Sequence, residues 1–302
     1  MFSYRHGFHA GNHADVLKHT VLIALLRYMT EKDAALMVLD THAGAGLYRL
    51  DGDYSQTSGE AVEGIFRLLA VDAPDITSPL LQDYAETIAS FNEPGTLKVY
   101  PGSPFIVQSL LRPRDKLKAF ELHPADSRAL SGNISQLEAG RQVAVLHEDG
   151  FESVRKLLPP PSRRALVLCD PSYEVKTDYG RVADMVAEAI KRFPSGTYAI
   201  WYPVIPRPEA HDLPRRLLTL ATKAGKPWLH ATLTVKSGRV SVQQRMAVEP
   251  GAKAPRPGLP ASGMFIVNPP YTLAAELRPA LTEMAALMGQ EGAGAFELEH
   301  GG

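Results

Sequence analysis

The sequence predicts an α/β protein: a Rossmann-like, doubly wound, mostly parallel seven-stranded sheet with a small helical insertion after the first strand. Three observations predict it. Short, nearly unbroken apolar runs at 34–39, 116–122, 142–146 and 165–169 alternate with stretches of helical period, and unbroken strands are those covered on both faces. The runs close in order on Asp40, Glu121, Asp149 and Asp170, so an open parallel sheet lines four carboxylates along one edge, beside its switch point. Gly44-Ala45-Gly46 follows the first run, where glycines let backbone approach a ligand closely.

The elements follow in turn. Residues 2–11 form an arm, and Asn12 is placed to cap a helix over 12–29 with Val16, Leu17, Val21, Ala24, Leu25 and Tyr28 at helical spacing. After the strand at 34–39, two helices at 59–71 and 78–91 break the alternation. They read as an insertion over 51–100 that extends the binding face. Pro101-Gly102-Ser103-Pro104 opens a further helix. Strands then end at Glu121, Leu146 and Cys169, with helices at 124–137, 151–157 and 178–193. A strand at 197–202, a helix at 209–224, strands at 228–235 and 263–268 and a helix at 273–288 complete the sheet. The glycine-rich tail is expected to be disordered. The whole reads as one domain, 1–302, with the arm and first helix occupying 1–30.

Composition excludes several classes. Hydrophobic residues make up 45 % and charged residues 22 % of the 302, which gives a globular chain with ample core. No apolar run approaches spanning length, and Met1-Phe2-Ser3-Tyr4-Arg5-His6 has no apolar signal core. Cys169 is the only cysteine; it excludes an internal disulfide, fits a reducing cytoplasm, and reads as a packing residue. The net charge of −1 means that a nucleic-acid partner rests on local clusters. One such cluster is the arm, which with the first helix holds Tyr4, Arg5, Lys18 and four of the ten histidines, His6, His9, His13 and His19. No cysteine or carboxylate set accompanies them, so no metal is expected.

Asp170-Pro171-Ser172-Tyr173 at a strand end suits methyl transfer to the exocyclic amine of a flat base. That amine is a poor nucleophile because its lone pair is delocalised into the ring. A carboxylate and a backbone carbonyl accepting its two hydrogens localise the pair, while an exposed Tyr173 stacks on the base. The same tetrapeptide suits a plain proline turn capped by Asp170 equally well. The ordering of the four acids adds weight. A carboxylate after the second strand can hold ribose hydroxyls, and Asp149-Gly150 can edge an adenine amine. That division suits S-adenosylmethionine, with its methyl facing Asp170. Asn268-Pro269-Pro270-Tyr271 is the better match by letters, but it follows the last strand and reads as a structural turn. Lys236, Arg239 and Arg245 suit RNA phosphates or a solvated strand surface.

The stretch from Tyr4 to His19, together with Leu39–Gly46, Pro101–Pro104 and the Asp170 motif, resembles the RlmJ family of 23S rRNA adenine-N6 methyltransferases over almost the whole chain. The resemblance implies a class I methyltransferase domain, S-adenosylmethionine as cofactor and one adenine of 23S rRNA as substrate. It implies cofactor contacts from His19, His42, Ser103, Glu121, Asp149, Gly150 and Asp170, with Lys18 as an additional contact. Asp170 would also be the catalytic residue, and Tyr4 with His6 would engage the RNA. Where the family commonly has Asp-Pro-Pro-Tyr, Ser172 replaces the second proline, which frees Pro171 from its pre-proline restriction and softens the loop. The target adenine is expected to be unstacked, in protein-free or early-assembly RNA. No membrane and no obligate protein partner are expected. Methylation of DNA adenine or of a protein glutamine, and a non-catalytic RNA-binding scaffold, are the alternatives. A DNA enzyme would carry a basic recognition domain, whereas the insertion holds Glu60, Glu63, Asp72, Asp75, Asp83 and Glu86.

Overall fold

The computed structural model describes residues 7, 9–51, 60–69, 73–137, 139–237 and 258–302. Along the chain run α1 (His13–Glu31), β1 (Met37–Asp40), β2 (Leu47–Arg49), α2 (Ile65–Leu69), α3 (Pro79–Ala89) and β3 (Val99–Pro101). Next come α4 (Ser103–Leu110), β4 (Lys116–Phe120), α5 (Pro124–Ser135), β5 (Val143–Leu146), α6 (Gly150–Leu157) and β6 (Ala165–Cys169). The last are α7 (Thr177–Arg192), β7 (Thr197–Val204), α8 (Pro208–Lys223), β8 (Trp228–Thr234), β9 (Ala261–Val267), α9 (Leu273–Met288) and β10 (Ala295–Gly301).

The sheet order is β10-β8-β9-β7-β6-β1-β4-β5. β1 pairs in parallel with both β4 and β6, and the parallel set extends to β5 and β7. The chain therefore winds outward from β1 to β5, returns to β6, and continues the other way. That reversal beside β1 is where an open α/β sheet makes its ligand crevice.

Among the described residues the sheet has eight strands, one more than the seven expected. The tail expected to be disordered pairs antiparallel with β8 from Ala295↔Thr234 to Gly301↔Trp228. A separate two-stranded ribbon joins β2 to β3 across Tyr48↔Tyr100, so the insertion is closed by strand pairing as well as built from helices.

β6 shows why the core has two layers. All five of its residues are buried. Leu166 and Leu168 face the cluster holding α1, α4 and α9, while Val167 and Cys169 face the cluster holding α6, α7 and α8. The period of two sends alternate side chains to opposite faces. Burial also pushes the Cys169 thiol up, as for a packing residue.

α1 is buried from His13 to Leu26. It lies against the sheet at β9 and is covered by α3, α4 and α9, which explains a helix buried nearly all round up to Leu26. Asn12 caps it as expected, its Oδ1 accepting from the backbone N–H groups of Ala14 and Asp15 at 3.0 Å each. At the other end, Arg112 donates to the carbonyls of Thr30 and Lys32 at 2.6 Å. Among the described residues no helix is long and apolar enough to cross a membrane.

Candidate active site

The loops after β1, β4, β5 and β6 converge on one cavity of about 300 Å³. Its walls include all eight residues expected around a cofactor: Lys18, His19, His42, Ser103, Glu121, Asp149, Gly150 and Asp170. Tyr4 and His6, expected on the RNA side, lie outside the described residues.

Each wall has a local cause. After β1 the chain turns at Gly44 and Gly46, with φ of +61° and +82°, a region that favours glycine. The Gly44 N–H donates to Glu121 Oε2 at 2.8 Å, and the His123 N–H donates to Oε1 at 2.7 Å. Two backbone donors thus aim the Glu121 carboxylate. Burial pushes its pKa up, although these bonds pull the other way.

Asp149 Oδ1 caps α6, accepting from Phe151 N at 3.0 Å, while Oδ2 accepts from Arg181 at 2.5 Å. Burial opposes its charge most strongly, but the bond and charge of Arg181 together with the backbone bonds of Phe151 and Glu152 outweigh it and hold its pKa below the usual value. The Arg181 guanidinium lies 4.4 Å from the centre of the Phe151 ring. His42 meets the same ring edge-on at 4.8 Å, and burial lowers its pKa to about 4. At neutral pH it is an uncharged ring.

Lys18 bridges two acids. Its Nζ lies 2.8 Å from Asp15 Oδ1 and also donates to Asp170 Oδ2. Burial works against the ammonium, yet the two carboxylates prevail and raise its pKa. Behind this group sits Asp40, fully buried. Its Oδ2 accepts from the Ser103 hydroxyl at 2.6 Å, and its Oδ1 has no partner. Burial raises Asp40 to about 6, against the opposing bond from Ser103 and charge of Lys18. His19 is anchored from behind: Nδ1 lies 2.9 Å from the Tyr100 hydroxyl, which lies 3.1 Å from that of Tyr84 on α3. The insertion thus supports the site through this chain. None of its described residues from 60 to 98 lines the cavity.

Tyr173 needs a correction. The ring expected to be exposed is 2 % exposed. It packs on Tyr179 with centroids 4.5 Å apart, and its hydroxyl donates to the Trp201 carbonyl at 2.7 Å. An aromatic ring that finds both an apolar bed and a hydroxyl partner below the surface stays there. Ser172 and the exposed Val175 take the places at the cavity wall. Lys236 is corrected too: Glu63 holds its ammonium at 2.9 Å, so it does not stand ready for phosphates, while Arg239 and Arg245 lie outside the described residues.

Asn268-Pro269-Pro270-Tyr271 lies away from the cavity. β9 runs antiparallel to β7, so its end points to the opposite edge of the sheet. There the Asn268 amide donates to the carbonyls of Pro194 and Gly196 at 3.0 and 2.6 Å. It is a structural turn.

Asp15 and Arg181 are the working residues that the sequence reading left out. Asp15 precedes Lys18 by one helical turn, a spacing that signals the pair. Arg181 carries no such signal, because it reaches Asp149 from a different helix.

The cavity fits a compact cationic adenosine cofactor. Glu121, Asp126, Asp149, Asp170, Glu174 and Asp178 line it against only Lys18 and Arg181 among the permanent cations, and the orphaned Asp40 oxygen lies behind Ser103. A doubly wound sheet with acid-tipped strands around such a cavity defines a Rossmann-like, S-adenosylmethionine-dependent methyltransferase. A family model described as ribosomal RNA large subunit methyltransferase D, RlmJ, matches residues 33–300. The chain is 42 % identical to ribosomal RNA large subunit methyltransferase J of Escherichia coli over 93 % of its own length and 92 % of the relative's. It is 40 % identical to the protein of the same name from Haemophilus influenzae, over 99 % and 98 %. A crystal structure of a Legionella pneumophila protein superimposes with a TM-score of 0.80 at 32 % identity, covering 97 % of this chain and 98 % of that one. The chain belongs to the RlmJ family of ribosomal RNA methyltransferases.

Proposed function

We propose that this protein methylates the exocyclic N6 amine of one adenine in 23S ribosomal RNA, with Asp170 as the catalytic residue. The observation that carries it is the position of Asp170 at the end of β6, on the cavity wall beside Pro171 and directly paired with Lys18.

Bound S-adenosylmethionine supplies an activated methyl, so the protein has no leaving group to create and mainly aligns the amine. Glu121 is aimed to hold ribose hydroxyls, Asp149 and Gly150 to edge the cofactor's adenine, and Ser103, His42 and His19 to complete the walls. Lys18 occupies Oδ2 of Asp170, and Oδ1 is the proposed acceptor for the substrate amine. One amine hydrogen donates to Asp170 and the other to the Pro171 carbonyl, which returns the lone pair to the nitrogen. The amine becomes acidic only as the new N–C bond forms, and Asp170 then receives the proton. An adenine held inside a duplex cannot reach this wall, so an unstacked base in protein-free or early-assembly RNA is the fitting substrate. Tyr4 and His6 of the arm are the proposed RNA contacts.

The test is transfer of tritiated methyl from S-adenosylmethionine to protein-free 23S rRNA, duplex DNA and a glutamine-bearing peptide in parallel. Label that digests to N6-methyladenosine from RNA alone is the expected result. Asp170→Ala should lower that rate about 100-fold or more without unfolding the chain. A fully active variant, or label in DNA or peptide instead, overturns the reading.

A further inference from the structure

The loop that carries Asp170 contains an unusual backbone conformation. Tyr173 sits at φ +53°, in the left-handed region that non-glycine residues avoid and that persists only where the surroundings over-determine it. Three contacts do so. The Tyr173 hydroxyl bond to Trp201 and the ring packing on Tyr179 fix the side chain. The third fixes the backbone: Arg207 Nη1 donates to the Tyr173 carbonyl at 3.0 Å. Arg207 is itself held at the start of α8, where its carbonyl accepts from the N–H groups of Ala210 and His211 at 3.0 and 3.3 Å. Its side chain is half-buried and does not line the cavity.

The loop depends on this clamp because Ser172 precedes Tyr173. A residue other than proline there leaves the φ of Ser172 free to vary, so a displacement of Tyr173 can pass back along the chain. Such a displacement would reach the Pro171 carbonyl, one of the two acceptors proposed for the amine. Charged donors make stronger bonds to carbonyls than neutral ones, which suits a clamp of one bond.

We propose that Arg207 is a positioning residue for methyl transfer: by holding the Tyr173 carbonyl it fixes the Asp170-Pro171 edge at the spacing the adenine amine requires. This rests on the assignment of Asp170 and Pro171 as the acceptors of that amine. Arg207 does not line the cavity, so its loss should act on the rate at saturation and leave cofactor binding alone.

The experiment compares Arg207→Ala, Arg207→Lys and Asp170→Ala by single-turnover transfer to protein-free 23S rRNA, with S-adenosylmethionine affinity measured by calorimetry. Arg207→Ala should slow transfer at saturating RNA and cofactor by about 10- to 100-fold, the scale of a misplaced reacting group, while the cofactor Kd stays within about two-fold. Arg207→Lys, which keeps a cation and a donor, should recover part of the rate. An unchanged rate in Arg207→Ala, a Kd that rises in step with the lost rate, or a lysine variant no better than alanine overturns the proposal. Asp170→Ala separates the two levels. If it is inactive and Arg207→Ala is fully active, only the positioning role falls; if Asp170→Ala is itself active, the underlying assignment falls.

Discussion

A methyl group added at residue 150 would lie 2.1 Å from the Thr41 carbonyl oxygen and 2.7 Å from its Cα. The loop after β1 and the first turn of α6 therefore meet backbone to backbone, and that contact sets the width of the cavity between His42 and Asp149. Gly150→Ala has to part the two loops. It should weaken S-adenosylmethionine binding by on the order of 10-fold, about 1.4 kcal/mol, as read by calorimetry. A variant whose affinity stays within two-fold of the parent would show that the loops separate freely. The sequence made Gly150 visible as an Asp-Gly after a strand, but not its reason, which lies in a segment more than a hundred residues earlier. Of the eight residues expected at the cavity, Glu121, Asp149, Gly150 and Asp170 were legible at strand ends, whereas Lys18, His19, His42 and Ser103 followed from the family resemblance. Burial was not legible. Tyr173 sits where an exposed ring is a fair reading, and only Tyr179 and the Trp201 carbonyl decide that it turns inward.

At the scale of elements, α1 carries Lys18 and His19 to the cavity on its second turn, so the order of the helix from its first turn onward is functional as well as structural. Asn12 caps that turn through Oδ1, while its amide donates to Glu60 Oε2 at 2.9 Å, tying the helix to the insertion. Asn12→Ala should cost about 1 kcal/mol for the lost cap and lower the melting temperature by about 1.5–2 °C in a chain of this size. Asn12→Ser, which restores the cap but not the Glu60 bond, should recover most of that loss in the same thermal scan; no difference between the two variants would assign the stability to the Glu60 tie instead. The cap was legible, as were the buried strands, because both follow from local residue type. β10 was not, since Glu297, Glu299 and the glycines before it look like a solvated tail and only pairing with β8 makes it a strand. The three-residue ribbon of β2 and β3 lacked the length to show a period at all.

Across the whole molecule, three buried titratable side chains set how stability responds to acid. Burial lowers His13 to about 4, with Lys236 pressing the same way against Glu60, Glu63 and Asp15. Burial likewise lowers His42 to about 4. In the unfolded chain both accept a proton near 6.5. Between pH 6.5 and 4 the unfolded state therefore binds more protons than the folded one, and stability falls as pH falls, by up to about 3 kcal/mol for each histidine. Asp40 works in the opposite sense. Its folded carboxyl takes up a proton near 6 and its unfolded one near 3.8. Lowering the pH through that window relieves a buried charge and returns up to about 3 kcal/mol. Asp40 thus offsets roughly one of the two histidines. Asp40→Asn, which keeps an acceptor for the Ser103 hydroxyl, removes the offset. In urea unfolding at pH 7, 5.5 and 4.5, the variant should match or exceed the parent at pH 7 and lose stability more steeply on acidification, the extra loss reaching about 2 kcal/mol by pH 4.5. The surface carboxylates are common to both proteins and cancel in that difference. Parallel loss in the two would mean that Asp40 stays ionised across the window. The orphaned oxygen behind Ser103 would then be a standing negative charge, felt by a cationic cofactor throughout the range from pH 7 to 4.5.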